Sequence, residues 1–338
     1  MSSIDGLSNL MFTGTLYPFQ QKVLDWSKDI EKGVIGLDMG LGKTIITIAI
    51  ICKKHYKHTV IVLPLPIIEQ WKTSLHKFSN ICKEQICVYH GRNRKNKDLT
   101  KYQVILTTYD VIRRDAYDTT SPLLICVSAF DCLVLDEAHR IRNEKTNTFQ
   151  ACQSFSSNIP SKWLLTGTVI HNKFKDFYNL CEFLELPSLT STLFSICEET
   201  RSKWRNKYYY RLMKEHCDIK LPIKEINQIS LKFAPDSVYY AIRKDLVEAY
   251  EDYLDSKSRE KMSYLLVKIL RLRQCCNHPL SMQDDTEYKE RKKTSIDVPS
   301  SPKFGEVLNV IKKTPQKDKM IIFSQWAHTL YVLEDFLK

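Results

Sequence analysis

The chain of 338 residues is 43% hydrophobic, enough apolar material to bury more than one core. Its 50 Lys and Arg against 39 Asp and Glu leave a net charge of +11, which suits a polyanionic partner. No apolar run approaches the ~18 residues that span a bilayer, and no charged-plus-apolar leader opens the chain, so a soluble intracellular protein without membrane contact is expected.

In chain order, the most informative stretch begins with the apolar run Val34–Leu37, which ends in a glycine turn. Gly40-Leu41-Gly42-Lys43-Thr44 then opens a helical pattern over Lys43–His55. Strand, glycine turn and helix in this order build a cradle for nucleotide phosphates. Gly40 and Gly42 let backbone N–H groups point at an anion, and the helix adds its positive N-terminal end. In such a site Lys43 reaches the β/γ phosphates and the Thr44 hydroxyl ligates magnesium. One position departs from the strict pattern: Leu37 stands where a first glycine is usual, and Gly36 comes one place too early.

The apolar runs Val60–Leu63, Ile86–Tyr89, Val104–Thr107, Leu133–Asp136 and Trp163–Thr166 follow, with helical spacing over Ile67–Phe78. They are short and lack polar alternation, as strands buried on both faces of a parallel sheet do. Alternating strands and helices predict a doubly wound α/β lobe. Asp136-Glu137-Ala138-His139 begins where one of these strands ends, and acids there face the crevice in which parallel sheets bind ligands. Asp136 is placed to hold magnesium, and Glu137 to orient or deprotonate an attacking water. An acidic pair also suits a solvated helix start, but both motifs together, each at a strand end, favour an ATP site.

Residues 172–215 read as helices. Leu221–Lys224 and Ile226–Phe233 read as an extended connector, Ser237–Leu254 and Ser258–Gln274 as charged helices, and Asp284–Pro302 as a linker. Lys303–Ile311 is expected to be a helix and Lys319–Phe323 the first strand of a new α/β unit. Three basic clusters stand out, each also readable as a solvated face: Arg92–Lys97; Arg201–Lys214, with Trp204 and Tyr208–Tyr210 interleaved, the best candidate for nucleic-acid contact; and Lys289–Lys293, which also suits linker charge or a nuclear import signal. The 11 cysteines are scattered and include no Cys-x-x-Cys, so buried reduced thiols are expected and a structural zinc is not.

These segments resemble the Swi/Snf group of DNA-translocating ATPases, within the second helicase superfamily, over nearly the whole chain. Leu16-Tyr17-Pro18-Phe19-Gln20, followed by Trp26, looks like the family's adenine-reading segment, with Gln20 on the base. Asp38-Met39-Gly40-Leu41-Gly42-Lys43-Thr44 is similar to its phosphate loop. Val62-Leu63-Pro64 with Gln70-Trp71 looks like the next motif, and Leu106–Asp110 resembles a segment that touches a nucleic-acid strand. Asp136–Asn143 resembles the magnesium and catalytic-water motif. Leu165–Asn172 is similar to the coupling motif, with Val169 and His171 where the family has Pro and Gln. Leu270–Pro279 marks this family rather than RNA helicases, and Ile322–Trp326 looks like the first motif of a second lobe. The Arg-Leu-Arg-Gln-Cys-Cys string leans toward the branch of DNA-repair ubiquitin-ligase translocases and a transcription-release factor; viral global transactivators are another candidate.

The resemblance implies a RecA-like ATP-binding lobe over 1–215, a helical extension and connector over 216–283, a linker over 284–302 and an incomplete second RecA-like lobe over 303–338. It implies ATP and magnesium as ligands, with Gln20, Met39, Gly40, Leu41, Gly42, Lys43 and Thr44 on the nucleotide, Thr44 and Asp136 on the metal, and Glu137, Lys43 and Asp136 as the catalytic residues. His139, Thr166 and Thr168 would couple nucleotide state to the grip on DNA, with Thr108 and Lys173 as further strand contacts. The implied activity is DNA-dependent ATP hydrolysis driving translocation on duplex DNA, held mainly by its backbone. Nucleosome or transcription proteins are the implied partners and the nucleus the implied location. Only 15 residues follow Phe323, fewer than a RecA-like lobe needs, so weak turnover is expected from this chain alone. An ATP- and DNA-binding regulator without turnover is the alternative.

Overall fold

A computed structural model of the chain describes residues 10–167, 174–186, 202, 206–217, 224–234, 238–282 and 301–338. The chain divides into two units, Met1–Pro222 and Ile223–Lys338.

The first unit is built on a parallel sheet of seven strands in the order β3-β4-β2-β5-β6-β1-β7. They are β1 (Lys32–Leu37), β2 (Thr59–Val62), β3 (Ile86–Val88), β4 (Val104–Thr107), β5 (Cys132–Asp136), β6 (Ser161–Thr166) and β7 (Tyr209–Leu212). Every residue of β2, β4, β5 and β6 is buried, which accounts for their unbroken apolar runs. Two apolar clusters cover the two faces. One packs α1 (Pro18–Trp26), α2 (Lys43–Lys53) and α3 (Ile68–Phe78) on the sheet through Val23, Ile46, Ile50, Trp71 and Leu75. The other packs α4 (Tyr109–Asp115), α6 (Asn147–Ser156) and α7 (Phe174–Phe183) through Ile112, Phe149, Phe155 and Leu180; a single turn, α5 (Pro122–Ile125), adds Leu123. This is the doubly wound α/β arrangement that the alternating runs predict.

Register aligns the carboxyl ends of three adjacent strands. Gly36 of β1 pairs with Thr166 of β6, and Asp136 of β5 pairs with Leu165 of β6. The glycine turn after β1 and the acids after β5 therefore open on one edge of the sheet, separated by the single strand β6.

Two expectations are corrected. Residues up to 215 read as helical, yet Tyr209–Leu212 is a strand, pairing in parallel with Val34–Leu37. It is an edge strand only half-buried, so the apolar periodicity that reveals the inner strands is lost there. Lys319–Phe323 is not a strand: these residues have no regular secondary structure and join no ladder among the described residues, and Phe323 is 88% exposed. A strand is defined by its neighbour, which an apolar run alone does not supply.

The second unit contains α8 (Val238–Ser256), α9 (Arg259–Cys275), α10 (Pro302–Lys313) and α11 (Ala327–Leu337). Helices α8 and α9 pack along each other. Ser258 and Ser301 cap α9 and α10, each accepting at 3.2 Å from the N–H three residues on. Pro302 occupies the first turn of α10, where its missing N–H costs nothing. Leu280, Phe304, Val332 and Leu333 form a small core. Residues 224–234 form neither helix nor strand, as the connector reading requires. Residues 283–300, which hold most of the expected linker and the Lys289–Lys293 cluster, lie outside the described residues.

The described cysteines form no disulfide with one another. Burial pushes the Cys52 and Cys152 thiols up to about 12, which keeps them unreactive. No helix of the described residues is long and apolar enough to cross a membrane.

Candidate functional site

The turn after β1 depends on its glycines. Gly40 and Gly42 have φ of +85° and +82°, a region that side chains bearing a Cβ rarely adopt. At Gly42 space is also lacking: an added Cβ would lie 2.4 Å from Gln20 Nε2 and 2.9 Å from Ile45 Cγ2. The chain then enters α2 at Lys43, so free N–H groups of the first helical turn surround the loop. Lys43 Nζ donates to the Leu37 carbonyl at 3.0 Å and pairs with no carboxylate among the described residues. Burial pulls the Lys43 ammonium below the usual lysine range, while the carboxylates of Glu137, Asp136 and Asp38 work against that shift. An unpaired, partly buried cation in a glycine turn at a helix N-terminus fits an anionic ligand. Thr44 is half-buried, and its hydroxyl has no partner among the described residues.

The acid pair is held from several sides. Asp136 is 6% exposed; its Oδ2 accepts from Trp71 Nε1 at 2.7 Å and its Oδ1 from the Glu137 N–H at 2.9 Å. The Tyr109 hydroxyl donates to the Asp136 carbonyl at 2.7 Å. Burial raises the Asp136 carboxyl above its ordinary value despite the Trp71 hydrogen bond. Glu137 adopts φ 54°, ψ 50°, the left-handed region, at a cost of about 1–2 kcal/mol for a residue with a side chain. A one-turn 3₁₀ segment, Ala138–Ile141, follows and brings His139 Nδ1 to 3.2 Å from Glu137 Oε2. The contact with His139 holds the Glu137 carboxyl below the usual glutamate range. Two adjacent carboxyls are thus driven in opposite directions: Asp136 toward the proton, Glu137 away from it. Among the described residues no group of three or more His, Cys, Asp or Glu could hold a metal alone. One carboxylate beside a hydroxyl suits magnesium that is bound largely through phosphate and water.

The remaining expected residues sit as follows. Gln20 is buried at 5% exposure and bridges two elements: its Oε1 accepts from Tyr17 N at 3.0 Å, and its Nε2 donates to the Leu41 carbonyl at 3.1 Å. Its amide thus braces the phosphate loop and keeps one N–H for another acceptor. Tyr17 and Phe19 stack beside it, their planes 4° apart. Met39 is exposed and Leu41 buried. Thr166 is fully buried at the end of β6. Thr168, Lys173 and the departures Val169 and His171 lie outside the described residues. Thr108, expected to touch a strand, is 4% exposed, and its hydroxyl caps α4 by accepting from Val111 N at 3.3 Å.

The basic clusters resolve differently. In Arg92–Lys97, Arg94 pairs with Asp115 and Lys95 with Asp118, while Lys97 donates to the Val88 carbonyl at 2.7 Å. Those cations staple a loop to the sheet edge instead of offering a free face. In the second cluster, Arg211 lies on β7 opposite Gly36, beside the phosphate loop. Sequence reasoning placed Trp71, Asp38, Arg211 and Lys214 in longer segments and assigned none of them these contacts; the Tyr-Tyr-Tyr-Arg-Leu run, rich in strand formers, carried a signal for β7.

A parallel sheet with a glycine turn and an acid pair at strand ends one strand apart defines a RecA-like α/β lobe. A model of the SNF2-related domain family matches residues 19–281, and the chain belongs to that family. It is 25% identical to the CHD3-type chromatin-remodeling factor CHR7 of Arabidopsis thaliana, over 96% of this chain and 28% of that protein. It is 25% identical to a probable global transactivator of Orgyia pseudotsugata multicapsid polyhedrosis virus, over 96% of this chain and 68% of that protein. Identity with the DNA repair protein RAD5 of Kluyveromyces lactis is 28%, over 74% of this chain and 28% of that protein. The chain thus spans well under a third of the length of the remodelling and repair relatives. The Sulfolobus solfataricus SWI2/SNF2 ATPase core, solved in complex with double-stranded DNA, shares the fold. The TM-score is 0.52 at 22% identity, covering 99% of this chain and 72% of that one.

Proposed function

We propose that this chain carries the ATP-binding lobe of a DNA-dependent ATPase that translocates on duplex DNA and remodels or displaces bound proteins in transcription or repair. The observation that supports it most is the meeting of an unpaired Lys43 ammonium in a glycine turn with the buried Asp136 and half-buried Glu137 at level strand ends. Lys43 and the backbone N–H groups of the Gly40–Thr44 turn bind the phosphates. Gln20 holds the loop in shape and offers its remaining N–H to the base, beside the stacked Tyr17 and Phe19. Met39 and Leu41 shape the loop surface on either side of Gly40. Thr44 and Asp136 hold magnesium, which when bound neutralises charge on the transferring phosphoryl group.

Glu137 accepts a hydrogen bond from the attacking water and orients it. A carboxylate kept ionised by His139 is a ready acceptor but a weak base, so its work is more positioning than full proton removal. His139, in contact with Glu137, passes rearrangement of the crevice to the water-orienting group; Thr166 and Thr168 act from the neighbouring strand end. The net charge of +11 supports contact with DNA phosphates, with little sequence preference and strong salt sensitivity. Nuclear nucleosome or transcription complexes are the fitting targets.

The test is binding and turnover of Mg-ATP, with and without duplex DNA or duplex RNA, for wild type and Lys43→Ala. The expected result is ATP binding weakened at least about tenfold by Lys43→Ala, and turnover that DNA raises more than RNA does. ATP binding indifferent to Lys43→Ala would remove the nucleotide site. Turnover raised equally by RNA would remove the DNA translocase.

A further inference from the structure

Beside the phosphate loop lies a basic pair that neither the glycine turn nor the acid pair accounts for. Arg211 is on β7 and Lys214 two residues beyond its end. Arg211 Nη1 donates to the Gly36 carbonyl at 3.0 Å and the Gly167 carbonyl at 3.2 Å, and its Nη2 donates to Asp38 Oδ1 at 2.8 Å. One guanidinium therefore ties the carboxyl ends of β1 and β6 to the start of the phosphate loop. The other Asp38 oxygen accepts from the Lys214 N–H at 3.1 Å.

Both Asp38 oxygens are thus turned toward β7. This matters because Asp38 precedes Gly40 by two residues, at the mouth of an anion site, where a loose carboxylate would repel phosphate. The Lys214 N–H, and after it the Arg211 charge, hold the Asp38 carboxyl below its usual range. Holding the Lys214 backbone places the root of its side chain beside the loop. A Cβ added at Gly40 would meet Lys214 Cε at 3.7 Å and Nζ at 3.8 Å, so the ammonium lies against the loop. That ammonium forms no ion pair or hydrogen bond with any described residue.

The geometry points to Lys214 as a second cation of the nucleotide site, contacting the terminal phosphates together with Lys43, with Arg211 as the residue that positions it through Asp38. The inference rests on the ATP-binding reading and deepens it. Two ammonium groups and one divalent ion match the charge of a fully ionised triphosphate. Arg211 acts indirectly: three of its five N–H donors are engaged by Gly36, Gly167 and Asp38, and through them it keeps Asp38 away from the phosphates. The second basic cluster then serves the nucleotide, at least at its carboxyl-terminal end, in place of a nucleic-acid strand.

Binding of Mg-ATP and of Mg-tripolyphosphate, which lacks the base, is measured by displacement of a fluorescent ATP analogue from the intact chain. The variants are Lys214→Met, Lys214→Arg, Arg211→Lys, and Arg211→Lys combined with Asp38→Asn, each checked for native circular dichroism. Lys214→Met is expected to weaken both ligands by about tenfold, as loss of one charge-assisted contact does, and Lys214→Arg by less than about threefold. Arg211→Lys frees the Asp38 carboxylate and weakens both ligands; adding Asp38→Asn recovers most of that loss, which a purely structural role for Arg211 would not produce. A Lys214→Met chain that binds ATP and tripolyphosphate as tightly as wild type overturns the proposal and leaves the ATP site standing. So does a loss confined to duplex-DNA affinity. A wild-type chain whose nucleotide binding ignores Lys43→Ala removes the ATP site itself, and this proposal with it.

Discussion

The hydrogen bond from Trp71 to Asp136 allows the acid end of the site to be tested through a residue outside the proposed chemistry. Trp71→Phe deletes the indole N–H that Asp136 Oδ2 accepts at 2.7 Å, in a place where Trp71 is 1% and Asp136 6% exposed. A hydrogen bond to a charged group contributes about 1.5–3 kcal/mol, and its buried acceptor is left without that partner. The smaller ring adds a cavity cost of about 1 kcal/mol. To separate the two, a double-mutant cycle with Asp136→Ala is followed by urea unfolding and circular dichroism at pH 8. A coupling of at least about 1.5 kcal/mol is expected. The pH dependence carries a sign. Burial raises the folded Asp136 carboxyl above 3.8, so the folded state binds the extra proton, and stability falls as pH rises from 3.8 through the folded value. Losing the Trp71 donor raises that value further and extends the fall to higher pH. A coupling below about 0.5 kcal/mol, with superimposable pH profiles, would refute the claim that the Trp71 hydrogen bond opposes the effect of burial on Asp136.

Glu137→Gln should keep Mg-ATP affinity within a few-fold while single-turnover hydrolysis drops by about 10²-fold or more; equal losses in binding and rate would mean that Glu137 does not act on the water. His139→Ala removes the contact that depresses the Glu137 carboxyl, which then rises toward 4.5, so the acid limb of the ATPase pH profile moves to higher pH. An unmoved limb would place another group in that titration. Arg94→Ala leaves Asp115, at 1% exposure, without its bidentate partner; about 3–5 kcal/mol of stability should be lost in denaturant titrations. Burial alone would raise the Asp115 carboxyl, but hydrogen bonds from Arg94 and Tyr89 outweigh it and leave it below 3.8. The Arg94 contribution is therefore complete above pH 3.8 and fades as pH falls through the folded value; a constant difference down to pH 2 would contradict it.

Much of the first unit was legible because its strands are buried on both faces, so their runs are apolar without interruption and need no partner to be recognised. The glycine turn and acid pair were legible for a related reason: left-handed turns demand glycine, and phosphoryl chemistry demands particular side chains at strand ends. Edges were less legible. Tyr209–Leu212 is half-exposed and looks like a charged aromatic surface, and Lys319–Phe323 has strand composition without a neighbouring strand. The basic runs misled for another reason. A cation in sequence does not declare its counterion, and Arg94 and Arg211 both found theirs inside the protein.

What the sequence determined by itself was the order of strand, glycine turn, helix and acidic strand end, because each follows from local backbone freedom and apolar patterning. Only the tertiary structure decided that β6 lies between the two motifs, that β7 closes the sheet beside β1, and that Trp71, Arg211 and Lys214 serve the site. Those contacts join residues 65 and 173–176 positions apart, and sheet order and register are set by the packing of the whole core, which no local window contains.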